Sequence, residues 1–151
     1  MRTVLSGVKW VVDDDLPVGA GGSKGIGLGI VEAFLREGSH VFNVNRSVEE
    51  GRALEADAAA RGQQCVFFAG DLCDVRVCEQ AVAACVAKFG RIDVLVNNAG
   101  VNDGVNLEAG PKAFLQSLQR NLLHVYAMAH YALPELKRSR GTIINIGSKV
   151  S

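Results

Sequence analysis

Glycines at positions 22, 25, 27 and 29, in the run Gly22-Ser23-Lys24-Gly25-Ile26-Gly27-Leu28-Gly29, stand where a helical pattern is about to begin. Such spacing lets a backbone pass close to a pyrophosphate, and a helix amino terminus behind it offers free N–H groups and a positive dipole end. A mononucleotide P-loop is a poorer match, because Lys24 is followed by Gly25 and not by a Ser or Thr able to hold magnesium. At the other end of the chain, TIINIGSK carries an alternating apolar stretch, Thr142 to Ile146, up to a hydroxyl at Ser148. A strand that delivers a hydroxyl to its carboxyl end puts it where α/β folds keep their chemistry. Cys65, Cys73, Cys78 and Cys85 all fall in apolar stretches and are expected to be small core residues in a reducing compartment. His40, His124 and His130 form no ligand pattern with them, and no metal is assigned.

The elements between these ends alternate in period. Gly25 to Arg36 reads as a helix with Ile30, Ala33 and Phe34 on one face, followed by a strand from His40 to Val44. Glu49 to Ala60 is an alanine-rich helix stopped by Gly62, and Cys65 to Phe68 is an apolar run of strand length. Val75, Cys78, Val82, Cys85, Val86 and Phe89 recur at helical steps before Gly90, and Ile92 to Val96 is another strand. Pro111 opens a long helix with an apolar seam at Phe114, Leu118, Leu122, Val125, Ala129 and Leu136. Near-continuous apolar strands alternating with helices mean a parallel sheet covered on both faces, a doubly wound α/β domain. One segment resists the pattern. The strand that should run into the glycine loop reads VKWVVDDDLPVGAGG, where Asp13, Asp14 and Asp15 would be costly in a central strand. Either the strand is confined to Val8–Val12 with an unusual loop after it, or the segment is aberrant.

Length and composition narrow the field of functions. The 151 residues suffice for one domain with a proper core, and 16 basic residues balance 16 acidic ones. With no basic block, a nucleic acid or an anionic membrane is not an expected partner. The opening MRTVLSGVKWVVDDDLP runs into three aspartates, unlike a signal peptide, and no apolar stretch reaches membrane-spanning length, so the cytoplasm is expected.

Taken in order, the motifs resemble those of the short-chain dehydrogenase/reductase family. The TGxxxGxG glycine motif is similar to Gly21 through Gly27, with Ala20 in place of the threonine and Ser23, Lys24, Gly25 and Ile26 inside it. Asp71 in AGDLCD, with Leu72 beside it, corresponds to the acidic residue at the adenine site. NNAG is intact at Asn97-Asn98-Ala99-Gly100, the helix asparagine corresponds to Asn121 in QRNLLH, and the active-site serine to Ser148. The resemblance implies a Rossmann-type sheet in the order 3-2-1-4-5, with Asn98, Ala99 and Gly100 in the cofactor site and Asn98 and Gly100 approaching the cofactor ribose. It also implies that Ser148 orients the substrate oxygen and that Asn121 holds a water in a proton relay. VNNAGVND, NLLHVYAMAHYALPELK and GTIINIGSK look most like the sugar dehydrogenases of that family, which implies a polyhydroxylated substrate oxidised at a carbinol carbon. Asn102, Asp103 and Asn106 could then meet sugar hydroxyls, or simply form a polar solvent loop.

Cofactor choice rests on the end of the second strand. A carboxylate about 20 residues beyond the glycines suits the ribose of NAD, whereas a cation suits the phosphate of NADP. Here Asn45 and Arg46 stand there, with Lys24 as a second cation, so NADP is favoured over NAD. The family's tyrosine and the lysine four residues after it have no match: Tyr126 is followed at that spacing by His130, and Tyr131 by Glu135. The chain is therefore expected to be the cofactor-binding portion of a dehydrogenase, ending before its catalytic helix, and inactive alone. A non-catalytic dinucleotide-binding or interaction module is the alternative. Association into a homo-oligomer through the 111–136 helix is also expected.

Overall fold

The computed structural model describes residues 8–12 and 26–147. Five strands form one parallel sheet: β1 (Val8–Val12), β2 (His40–Asn45), β3 (Cys65–Ala69), β4 (Val94–Asn97) and β5 (Thr142–Asn145). Their spatial order is β3-β2-β1-β4-β5, the doubly wound order expected from the sequence. The register pairs Val12 of β1 with Val44 of β2 and with Asn97 of β4, and Asn97 in turn with Asn145 of β5. The carboxyl ends of the three middle strands therefore lie level. Val8–Val12 is a strand, in line with the narrower of the two readings; Asp13, Asp14 and Asp15 lie outside the described residues.

Helices lie on both faces of the sheet, while the edge strand β5 stays exposed. On one face α1 (Ile26–Arg36) and α2 (Val48–Ala60) pack Val31, Leu35, Leu54 and Ala58 over Val41 and Cys65. On the other, α3 (Val75–Phe89) and α5 (His124–Ser139) pack Cys78, Val82, Cys85, Met128 and Ala132 over Phe42, Val44 and Leu95. The α3 seam read from the sequence is buried as expected. Its ends are well defined: the Asp74 carboxylate accepts the Arg76 N–H, and Gly90 closes the helix at φ 77°, a conformation that favours glycine. On α1, Val31 and Leu35 are buried while Ala33 is exposed, so the inward face is displaced from the one expected. Cys65, Cys78 and Cys85 are buried, but Cys73, in the turn before α3, is only half-buried, contrary to expectation. Burial pushes the Cys65 and Cys78 thiols up to about 12 and about 11, which keeps both protonated.

The largest departure concerns the helix from Pro111. It starts at α4 (Gly110–Leu118), with Pro111 in its first turn, but residues Gln119–Leu123 form a π-helical segment before α5 begins. A π turn accommodates an extra residue, so apolar positions on either side of it cannot share one stripe. Phe114 and Leu122, expected in the seam, are 55% and 56% exposed, whereas α5 buries His124, Ala127, Met128, Ala132 and Leu136.

Candidate functional site

In a parallel sheet of this order the chain reverses direction between β1 and β4, which opens a crevice at the strands' carboxyl ends. The described site residues gather there. Ile26 begins α1 and Gly27 is buried in its first turn; Gly21, Ser23, Lys24 and Gly25 lie outside the described residues, as does Ser148. Asn45 ends β2, is 2% exposed, and its Oδ1 finds no hydrogen-bond partner. The exposed Arg46 follows immediately. Asp71 sits beyond β3 in a turn, where its Oδ1 accepts the Cys73 N–H at 2.9 Å. The Leu72 side chain is part of the core, which leaves only its backbone to a ligand.

Beyond β4 the NNAG segment is tied to its neighbours. Asn97, 2% exposed, donates through Nδ2 to Asn145 Oδ1 at 2.8 Å, while its own Oδ1 has no partner. Asn121 belongs to the π segment, and its Oδ1 accepts the Val101 N–H at 2.5 Å. This bond brings the helix asparagine against the residue that follows Gly100. A Cβ on Gly100 would come within 3.4 Å of the same oxygen, so a side chain here would crowd the contact.

Two participants were not legible as site residues beforehand. His124, 1% exposed, places Nε2 3.1 Å from the Ala99 carbonyl oxygen, within reach to donate to it in the Nε2–H tautomer. Its pKa lies below the ordinary 6.5 because burial outweighs the backbone contacts to Ala99 and Arg120, which favour the protonated ring. Ser117 bridges Asn121 Nδ2, at 3.3 Å, and Asp103 Oδ1, at 3.1 Å. The only sequence signal for either is position: Ser117 lies four residues before Asn121 and His124 three after it.

The loop residues expected near a substrate separate into different duties. Asp103 accepts from Ser117, with the Arg120 guanidinium 3.9 Å from its other oxygen. Asn106 caps the short 3₁₀ turn Leu107–Ala109, accepting from the Glu108 and Ala109 N–H groups. Asn102 is exposed. At the carboxyl ends of β2 and β4 thus stand the buried amides of Asn45 and Asn97, with the exposed Arg46 directly after β2. Among the described residues no group of His, Cys, Asp or Glu could hold a metal ion, and no helix is long and apolar enough to cross a membrane.

Residues 18–151 match the family described as short chain dehydrogenase. The chain is 40% identical over 132 residues to the L-fucose dehydrogenase of Mus musculus, which covers 86% of this chain and 47% of that protein. It is 40% identical over 131 residues to a probable galactose dehydrogenase of Rhizobium meliloti, covering 85% of this chain and 51% of the relative. A metagenomic short-chain oxidoreductase solved in complex with NADP superimposes with a TM-score of 0.82 at 32% identity, over 97% of this chain and 64% of that one. The chain spans about half the length of the curated relatives it matches.

Proposed function

The chain belongs to the short-chain dehydrogenase family, and we propose that it binds a nicotinamide dinucleotide across the β1/β4 crevice for hydride exchange with a carbinol carbon of a sugar such as L-fucose. The observation that carries this reading is the docking of Asn121 on the loop after NNAG, with Val101 N–H donating to it at 2.5 Å. A helix side chain is there fastened to the loop that follows NNAG at the carboxyl end of β4. The residues present fit the dinucleotide: the unpartnered, buried Asn45 Oδ1 suits a ribose hydroxyl, and Gly27 in the first turn of α1 suits a nearby pyrophosphate. Bound there, the nicotinamide supplies the hydride donor or acceptor. Gly21, Ser23, Lys24, Gly25 and Ile26 would line the phosphates, Asp71 and Leu72 the adenine, and Asn98, Ala99 and Gly100 the nicotinamide ribose. Asn121 and Ser148 would order water and the substrate oxygen, and Asn102 would donate to a sugar hydroxyl.

NADP is the favoured dinucleotide, since β2 ends in Asn45 and Arg46 with no carboxylate to repel a 2′-phosphate. A hydrogen bond to a charged group is worth about 1.5–3 kcal/mol, so Arg46→Ala should weaken NADPH binding by roughly ten- to a hundredfold and NADH binding far less. Fluorescence titration of both nucleotides tests this, and equal losses would remove the argument. Hydride exchange also needs a general acid or base, and no Tyr in the sequence is followed by Lys at the fourth position. That observation favours a second reading for the 151 residues themselves, nucleotide binding without turnover. The exposed apolar strip of Phe114, Leu115, Leu122, Leu123 and Tyr126 supports association of copies through the 111–136 helix.

A further inference from the structure

The loop from Ala99 to Asp103 is held at alternate residues by three side chains of one helical stretch. His124 Nε2 donates to the Ala99 carbonyl at 3.1 Å, Asn121 Oδ1 accepts the Val101 N–H at 2.5 Å, and Ser117 Oγ donates to Asp103 Oδ1 at 3.1 Å. Loop and helix run in opposite directions through these contacts, 99 with 124, 101 with 121 and 103 with 117. The spacings agree: two extended residues advance about 6.6 Å, and three or four helical residues about 4.5–6 Å. Exposure alternates in step. Ala99 is buried and Val101 and Asp103 are half-buried, while Gly100, Asn102 and Gly104 are exposed. One edge of the loop is therefore fastened to the helix and the other is turned outward.

The bonds also have a direction. Asn121 Nδ2 donates to Ser117 Oγ at 3.3 Å, and the Ser117 hydroxyl passes its own hydrogen to the Asp103 carboxylate. Ser117 accepts from Asn121 through a hydroxyl lone pair while giving its proton to Asp103. With Nδ2 given to Ser117, the Asn121 amide presents Oδ1 to the Val101 N–H. Arg120, 3.9 Å from Asp103 Oδ2, keeps the carboxylate compensated.

We propose that Ser117 and His124 are positioning residues, which with Asn121 form a three-point clamp that sets the loop after NNAG and so presents Gly100 and Asn102 to the crevice. The consequence for ligands rests on the dinucleotide reading above; the clamp itself does not. Neither residue touches the crevice; each acts through the loop.

The test uses the full 151-residue chain, ¹⁵N-labelled, and reads amide hydrogen exchange by NMR. Exchange at Val101 is compared with that of the buried β4 residues Leu95 and Val96, so that general destabilisation cancels. Ser117→Ala should speed Val101 exchange about five- to tenfold relative to those residues, the loss of one net hydrogen bond, and Ser117→Thr should restore protection. His124→Phe should act like the alanine variant, and His124→Gln, whose amide can still donate to Ala99, should rescue it. Ser117 is half-buried, so its variants decide the matter even if His124→Phe fails to fold. Unchanged Val101 protection in Ser117→Ala, or equal loss in Ser117→Thr, overturns the clamp. NADPH affinity measured on the same folded variants should fall and recover in the same order. Binding that is intact in Ser117→Ala despite faster Val101 exchange would overturn the positioning role. A wild-type chain that binds no nucleotide would instead overturn the dinucleotide reading and leave the exchange result to decide the clamp.

Discussion

Removing Asn145 should destabilise the fold more than removing its partner Asn97, although the two lose the same bond. Asn97 is 2% exposed and has one satisfied group, Nδ2 bonded to Asn145 Oδ1 at 2.8 Å, beside an Oδ1 with no partner. Asn145 lies on the exposed strand β5, where water can replace a lost contact. Asn145→Ala leaves Asn97 buried with neither end of its amide paired, a cost of about 1–3 kcal/mol. Asn97→Leu removes the orphaned oxygen together with the bond, places a side chain of similar volume in an apolar setting, and leaves Asn145 to solvent. Its expected effect is within about 1 kcal/mol of zero, and the double variant should be no less stable than Asn145→Ala alone. With a urea slope of ~2 kcal/mol/M, the Asn145→Ala midpoint should fall by roughly 0.5–1.5 M. The double-mutant cycle should give a coupling above about 0.5 kcal/mol. Strict additivity, or Asn97→Leu proving the costlier change, would refute the reasoning. A buried, half-satisfied amide at the start of NNAG lowers stability relative to an apolar side chain of the same volume.

Two further outcomes follow from other features. Burial holds the His124 pKa below the ordinary 6.5, so the unfolded chain binds the proton more readily; the histidine's contribution to stability is complete above about pH 6.5 and is lost as pH falls through its folded pKa. Urea midpoints between pH 7.5 and 5 should therefore decline in the wild type and flatten in His124→Gln; parallel declines would contradict this. The carboxylates of Glu32 and Asp74, held low by Arg61 and Arg76, act only at more acidic pH and do not confuse the comparison. Leu122→Glu places a charge in the apolar trough lined by Leu115, Leu118, Leu123 and Tyr126, and should shift the chain toward monomer in sedimentation velocity without changing its thermal midpoint by more than a few degrees. A wild-type chain already monomeric at high concentration would defeat it.

The order of elements, the parallel sheet and the face of α3 could be read from the sequence because each depends on short-range information. Periods of two and of three to four residues and a closing glycine are all local. The motifs at 97–100 and 121 could be recognised for the same reason, as fixed residue types at fixed intervals. What they touch could not. The π segment at Gln119–Leu123 adds one residue to a helix whose local propensities favour an uninterrupted run, and it is the packing of α5 against β4 and α3 that settles which side turns inward. Phe114 and Leu122 therefore face outward, although their apolar spacing is that of a buried seam. His124 carried no signal of its own, since a histidine among apolar residues is compatible with many packings. Its role follows only from the approach of Ala99, 25 residues earlier in the chain. Pairings at that separation are decided by tertiary structure, because the free energy that selects them comes from burying both groups together and is absent until the sheet and its helices have met.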